Sequence, residues 1–165
     1  MAHLKHTTWQ TQRGLTLVEL MVTIAVIAIL ATTAVSTMSN MRAKQQVIAA
    51  AEEILSKAQR AKSLARKKSE DFQIILDNES DVDSLAISGA SISETSSLKT
   101  IHPNVVVTAT TDTFGFAFLR GTATSGSISV ISKSMPSDYG ANVKISGQGR
   151  LTICSEYGLD NRYGC

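Results

Sequence analysis

Residues 14–35 have the sequence GLTLVELMVTIAVIAILATTAV, and this stretch decides the fold. From Leu20 to Met41 no charged residue occurs, a span of 22 positions. As a helix it would be about 33 Å long, enough to cross a bilayer. One carboxylate, Glu19, stands five residues after Gly14. Because a bare charge at membrane depth costs about 2.5–3.5 kcal/mol, we expect Glu19 to have a partner and a function.

The leader, residues 1–14, is polar, with Lys5 and Arg13 as its formal charges. Positive charge before an apolar run predicts a cytoplasmic N-terminus and an exported remainder. A secretory signal peptide has a shorter apolar region followed by small residues, which does not fit this order. A plain single-pass anchor fits the length but gives Glu19 no role.

Length and charge limit what the rest of the chain can be. The 165 residues allow one anchor and one modest domain. Loss of the leader removes two positive charges and no acid, so the formal charge falls from +2 to 0. Overall charge therefore does not indicate a nucleic-acid partner, and such a partner would need a local basic patch.

Beyond the apolar run the pattern becomes amphipathic. Apolar residues at three- and four-residue steps mark one helix face, and neither proline nor glycine interrupts residues 15–71. We predict one long helix whose buried stripe is Val47, Ile48, Ala51, Ile54, Leu55, Ala58, Ala61 and Ala65. Such a stripe needs a packing partner, because a helix of this kind is not stable alone in water.

After Phe72 the composition favours strands separated by turn residues. Strands are predicted at 72–76, 105–110, 114–119, 128–132, 142–145 and 151–154, with an uncertain one near 85–87 in a loop at 77–97. The expected fold class is α+β, a long N-terminal helix packed on an antiparallel sheet. The expected regions are a leader (1–14), a transmembrane and assembly helix (15–36), an amphipathic helix (37–70) and a β-rich head (71–165).

The glycine, Thr16, Glu19 and the uncharged run together resemble the type IV pilin signature. Within that family the chain is similar to the minor pilins and pseudopilins of the FimT and GspH group. This second resemblance is carried by AQRAKSLA (58–65), TDTFGFAF (111–118) and VKISGQGRLTIC (143–154). Leu15 departs mildly from the family, which more often has phenylalanine after the glycine.

The resemblance implies a filament subunit in the pilin fold. A prepilin peptidase would cut between Gly14 and Leu15, and Leu15 would be N-methylated. The protein would sit in the inner membrane with its head in the periplasm, and then join a pilus or pseudopilus through its N-terminal helix. Glu19 would pair with the new α-amino group of Leu15 on a neighbouring subunit, since either charge alone in a low dielectric is heavily penalised. Alternatively, Glu19 is protonated in lipid without a partner.

Which machine the subunit serves stays open between two alternatives. One is a type IV pilus, with the subunit in or near the complex that primes it. The other is a type II secretion system, where the chain would act as a pseudopilin of the GspH type. The two alternatives differ in the partner subunits and not in the physical mechanism of assembly.

The two cysteines, Cys154 and Cys165, are close together at the C-terminus. In an exported protein such a pair predicts one disulfide closing a short loop, which the chain-entropy model values at about 3 kcal/mol. Two free thiols are the alternative.

A possible DNA-binding set is Arg150, Arg162 and Lys144. Some FimT-like pilins hold DNA through a Gly-Arg-x-Arg motif, and this chain has Gly149 and Arg150 but Thr152 in place of the second arginine. Two arginines two residues apart on a strand share a face and can grip successive phosphates, whereas one cannot. A DNA-binding minor pilin for natural transformation, with duplex DNA as its partner, is therefore a weaker alternative, and a structural arginine is the default. The dense basic set on the helix, from Lys57 to Lys68, is interpreted as a solvated surface.

An enzyme is not expected, although a membrane-anchored enzyme stays an alternative. His102 is the one histidine beyond the leader, and no base and orienting acid are placed beside a serine. No cofactor or metal is expected. The acidic run at Asp77, Glu79, Asp81 and Asp83 lacks the glycine and the final acid of a calcium loop.

Overall fold

The computed structural model describes residues 16–77, 81–135 and 139–155, with side chains except at 33–37. The chain divides into two compact units, Met1–Met38 and Ser39–Cys165. Helix α1 (Leu17–Lys68) has 52 residues, which confirms the prediction of one long helix. Among the described residues, no helix is both long enough and apolar enough to cross a membrane.

The second unit has two four-stranded antiparallel sheets. The strands are β1 (Phe72–Asp77), β2 (Ser84–Gly89), β3 (Ser93–Ser97), β4 (Val105–Ala109), β5 (Thr113–Phe116), β6 (Gly126–Ser132), β7 (Gly140–Ile145) and β8 (Leu151–Ser155), with a short helix α2 (Leu98–Ile101) between β3 and β4. The first sheet has the order β3-β2-β1-β5 and the second has the order β4-β6-β7-β8. The α+β class is confirmed, and the expected single sheet is corrected to two.

One stripe of α1 and the inner faces of both sheets form one core. The helix residues buried in this core are Val47, Ala50, Ala51, Ile54, Ala58, Ala61 and Ala65, which confirms the predicted stripe except that Ile48 and Leu55 are half-buried. Most of them are alanines, and small side chains allow a helix to lie close to a sheet. Ile54, Phe72 and Phe114 are almost fully buried and supply much of the apolar area that stabilises the core.

Helix α1 ends where the backbone turns into the left-handed region. Ser69 has φ of 57°, a conformation that favours glycine and costs an L-residue about 1–2 kcal/mol. Arg66, Lys67 and Lys68 occupy the last helical turn and stabilise the negative end of the helix dipole. Just beyond, the Asp71 carboxylate accepts a hydrogen bond from the Phe118 backbone N–H (3.1 Å), which joins the helix end to the loop after β5.

Most predicted strands are confirmed within one or two residues, and two differ. The predicted strand 114–119 stops at Phe116, because the chain then forms a turn in which Gly121 N–H donates to the Ala117 carbonyl (3.1 Å). The predicted loop at 77–97 contains two strands: β2 confirms the uncertain strand near 85–87, and β3 was not predicted. β3 has the sequence SETSS, without the apolar alternation that marks a strand, and it forms one edge of its sheet by pairing with β2.

Candidate functional site

The N-terminal signature begins with a helix cap. Thr16 precedes the first residue of α1, and its Oγ1 accepts a hydrogen bond from the Glu19 backbone N–H (3.3 Å). The Thr16 carbonyl also accepts from the Leu20 N–H (3.2 Å). The T-x-x-E order of residues 16–19 is that of a capping box, which satisfies backbone donors that a helix start leaves unpaired. Thr16 therefore fixes where α1 starts and holds Glu19 in its first turn.

The Glu19 side chain is exposed, and apolar residues follow it on every side of the helix. Leu17 is 74% exposed and Ile29 is 68% exposed, and they belong to a contiguous exposed apolar surface of the kind that marks an interaction or membrane site. The described part of the first unit thus presents one acid at the start of an otherwise uncharged helix segment. Gly14 and Leu15, the predicted cleavage and methylation residues, lie outside the described residues.

In the second unit, basic residues from α1 and from the turn before β8 line a common groove of about 530 Å³, which we call the basic groove. Its lining includes Lys62, Ser63, Arg66, Lys67, Arg150 and Leu151. The sequence predicted separate roles for the helix cations and Arg150. The structure brings them together because Gly149 and α1 are in direct contact.

That contact depends on the turn between β7 and β8. Lys62 Nζ donates a hydrogen bond to the Gly149 carbonyl (2.7 Å), which fixes the helix against the turn. Gly149 has φ of 72° and lies so close to Gly121 that a Cβ atom at 149 would be 2.3 Å from the Gly121 carbonyl oxygen. A glycine is required here by conformation and by space. Gly149 is therefore explained without reference to a ligand.

The predicted DNA-binding residues are only partly brought together. Arg150 and Lys144 are exposed and line a second groove, of about 430 Å³, beside β7 and β8. Thr152 pairs with Lys144 across the strands and lines the same groove, where a second arginine would have added charge. Arg162 lies outside the described residues. The sequence alone did not indicate Lys62, Arg66 and Lys67 as neighbours of Arg150, because the contact joins residues 87 positions apart.

Cys154 is buried near the end of β8. Its predicted disulfide partner, Cys165, lies outside the described residues, so the disulfide stays a prediction.

Two other polar clusters have structural roles. His102 Nε2 lies 3.0 Å from Glu53 Oε2, and the two half-buried side chains join the loop after α2 to helix α1. Lys99 Nζ lies 2.7 Å from Asp83 Oδ1 and 3.9 Å from Asp81 Oδ2. The hydrogen bond to Asp83 and then the charge of Asp83 raise the pKa of Lys99 above 10.5. Two carboxylates of the acidic run, which resembles a calcium loop only in part, are thus paired with a lysine ammonium.

Comparison with known proteins identifies both the N-terminal segment and the fold. Residues 9–35 match the prokaryotic N-terminal methylation motif. No curated protein matches the sequence. The structure is similar to the type IV minor pilin FimU of Pseudomonas aeruginosa, at 19% identity and a TM-score of 0.56, over 66% of this chain and 88% of that one.

A second likeness is to the minor pseudopilin EpsH from the type 2 secretion system of Vibrio cholerae. The identity is 13% and the TM-score 0.53, over 67% of this chain and 97% of that one. The resemblance to type IV minor pilins and pseudopilins is thus confirmed in the motif and in the fold. The chain has the fold of these minor pilins and pseudopilins.

Proposed function

We propose that this chain is a minor filament subunit of the FimT and GspH group, made as a precursor and cut between Gly14 and Leu15 by a prepilin peptidase. The single observation that carries the proposal is the coincidence of two features in one chain. The methylation motif spans residues 9–35, and the head has the fold of minor pilins and pseudopilins. Neither an ordinary anchor nor an ordinary exported domain accounts for both.

In this proposal residues 15–36 hold the uncut and the newly cut protein in the inner membrane, with the head in the periplasm. The apolar side chains of α1, exposed in the single chain, exchange lipid for the helices of neighbouring subunits during assembly. Because no water competes in that environment, packing and charge pairing decide which arrangement forms.

Glu19 sets the register of that packing. Its carboxylate and the α-amino group of Leu15 on a neighbour attract strongly at short distance in a low dielectric, whereas either charge alone is penalised. A helix shifted by one turn, about 5.4 Å, leaves both charges unpaired. The Thr16 cap supports this mechanism because it fixes the start of the helix and so the position of Glu19.

Mass spectrometry of the protein purified from its own membranes tests the processing step. The expected mature chain begins at Leu15 and carries one methyl group on its amine. A Gly14→Val variant is the control, and it should keep Met1. Mature native protein that retains Met1 would refute the processing.

Both a type IV pilus and a type II secretion system are compatible with the fold, since a minor pilin and a minor pseudopilin share it. Duplex DNA as a partner stays a prediction. The grooves provide Arg150 with cationic neighbours, but the chain without its leader has a formal charge of 0 and Thr152 replaces a second arginine.

A further inference from the structure

The basic groove carries positive charge that no ion pair among the described residues neutralises. The ion pairs among the described residues join Arg60 with Glu94, Lys99 with two aspartates, and His102 with Glu53. None of them involves Arg66, Lys67 or Arg150, which are all exposed. Three exposed cations that converge on one concave surface repel one another, and an anionic partner would relieve that repulsion.

An exposed apolar side chain lies in a turn next to this groove. Leu119 is 81% exposed, the highest value among the large apolar side chains of the described residues. It lies in the turn closed by Gly121 N–H and the Ala117 carbonyl (3.1 Å). A Cβ atom on Gly121 would lie 3.5 Å from Arg66 Nη2, so the same turn lies next to a residue that lines the basic groove. Leu151 adds apolar surface to the groove lining.

We propose that the basic groove and Leu119 form a docking surface for an acidic segment of a neighbouring subunit, one with an apolar side chain beside its carboxylates. This inference rests on the proposed function, since it takes the partner to be another filament subunit. An exposed leucine beside arginines is the composition of a protein interface, in which an apolar contact and charge-assisted hydrogen bonds occur together.

A nucleic acid fits this surface less well. Its phosphates would use the cations but would leave Leu119 without a contact. The groove lining has no aromatic side chain on which a base stacks. A carboxylate-bearing segment would use every feature present, because an arginine guanidinium can bind a carboxylate in bidentate fashion and Leu119 would gain an apolar contact.

The chain offers a matched pair of variants. Lys67 and Lys68 are adjacent in the last turn of α1, and both stabilise the helix end. Lys67 lines the groove, whereas Lys68 does not. Lys67→Glu and Lys68→Glu therefore change the same charge at the same helix end, and they differ in whether the groove is affected.

The test uses the full chain in the membranes of cells that make it. A photo-crosslinking phenylalanine replaces Leu119, and control probes replace Thr95, exposed on β3, and Ile24, in the apolar helix. Adducts are identified by mass spectrometry of the crosslinked peptide. We expect the probe at 119 to capture an acidic peptide of another pilin-class subunit. The adduct yield of the probe at 119 should fall about tenfold or more with Lys67→Glu and stay unchanged with Lys68→Glu. The yield of the control probe at Thr95 should not change with either variant.

The inference is overturned if the probe at 119 gives no adduct while the probe at 24 does. Equal losses in the Lys67 and Lys68 variants, or an adduct that nuclease removes, also overturn it. If the probe at 24 also captures no subunit, the proposed filament function fails together with the docking surface. The control at 24 thus separates failure of this interface from failure of the subunit itself.

Discussion

Gly149→Ala should destabilise the head by about 2–5 kcal/mol. An alanine at φ of 72° costs about 1–2 kcal/mol. Its Cβ would also lie 2.3 Å from the Gly121 carbonyl oxygen, and since that neighbour is backbone, the two turns would have to separate. Overpacking of this kind costs about 1–3 kcal/mol more.

Gly147→Ala is the matched control in the same turn. A Cβ there would meet nothing nearer than the Ala123 carbonyl oxygen at 4.0 Å, so its effect on the free energy of unfolding should be small. Urea unfolding of the full chain in detergent, followed by the circular dichroism of the β-rich head, measures both variants. For a urea slope of about 2 kcal/mol per molar, the midpoint of Gly149→Ala should fall by about 1–2.5 M. Equal midpoints for the two variants would refute the steric argument.

Three further changes test the rest of the head. Ser69→Gly should raise the free energy of unfolding by about 1 kcal/mol, because glycine adopts φ of 57° without strain, and a lower urea midpoint would contradict this. Ile54→Ala should lower the free energy of unfolding by about 2–5 kcal/mol, since Ile54 is fully buried. Gln59→Ala should change it little, because Gln59 is exposed. Similar losses for the two variants in urea unfolding would contradict the placement of Ile54 in the core. The pKa of Lys99 is raised in the folded state, so its small contribution to stability should be present below pH 10.5 and disappear as the pH rises through the folded-state pKa. The melting temperatures of the native protein and Lys99→Gln should converge above that pKa, and a difference that stays constant with pH would contradict this.

The long helix, its buried stripe and most strands can be predicted from the sequence, because they depend on local residue patterns. Residues 17–68 form one helix because apolar residues recur at helical steps without glycine or proline, and the buried stripe from Val47 to Ala65 follows from that period. β1 and β6 are predictable because apolar residues recur at every second position in them, as in Phe72, Ile74 and Leu76 of β1.

Features that depend on distant residues could not be predicted in this way. β3 (Ser93–Ser97) has no apolar alternation and exists because β2 pairs with it. Among the described strands, β5 pairs with β1 at the edge of one sheet and β4 pairs with β6 at the edge of the other. Two sheets therefore form instead of one, a separation that no local pattern shows. The basic groove likewise depends on the Lys62–Gly149 contact. The presence of glycine at position 149 is explained by its positive φ and its close approach to Gly121, which a motif comparison does not reveal.

The most direct test of the account is the incorporation of Glu19→Gln into filaments, measured as the ratio of filament to membrane protein. The substitution keeps the shape of the side chain and removes the charge. If Glu19 pairs with the Leu15 amine of a neighbour, the variant should be cut and methylated normally and yet stay in the membrane, while a Thr23→Val control assembles. Incorporation of the glutamine variant at the level of the native subunit would contradict the account.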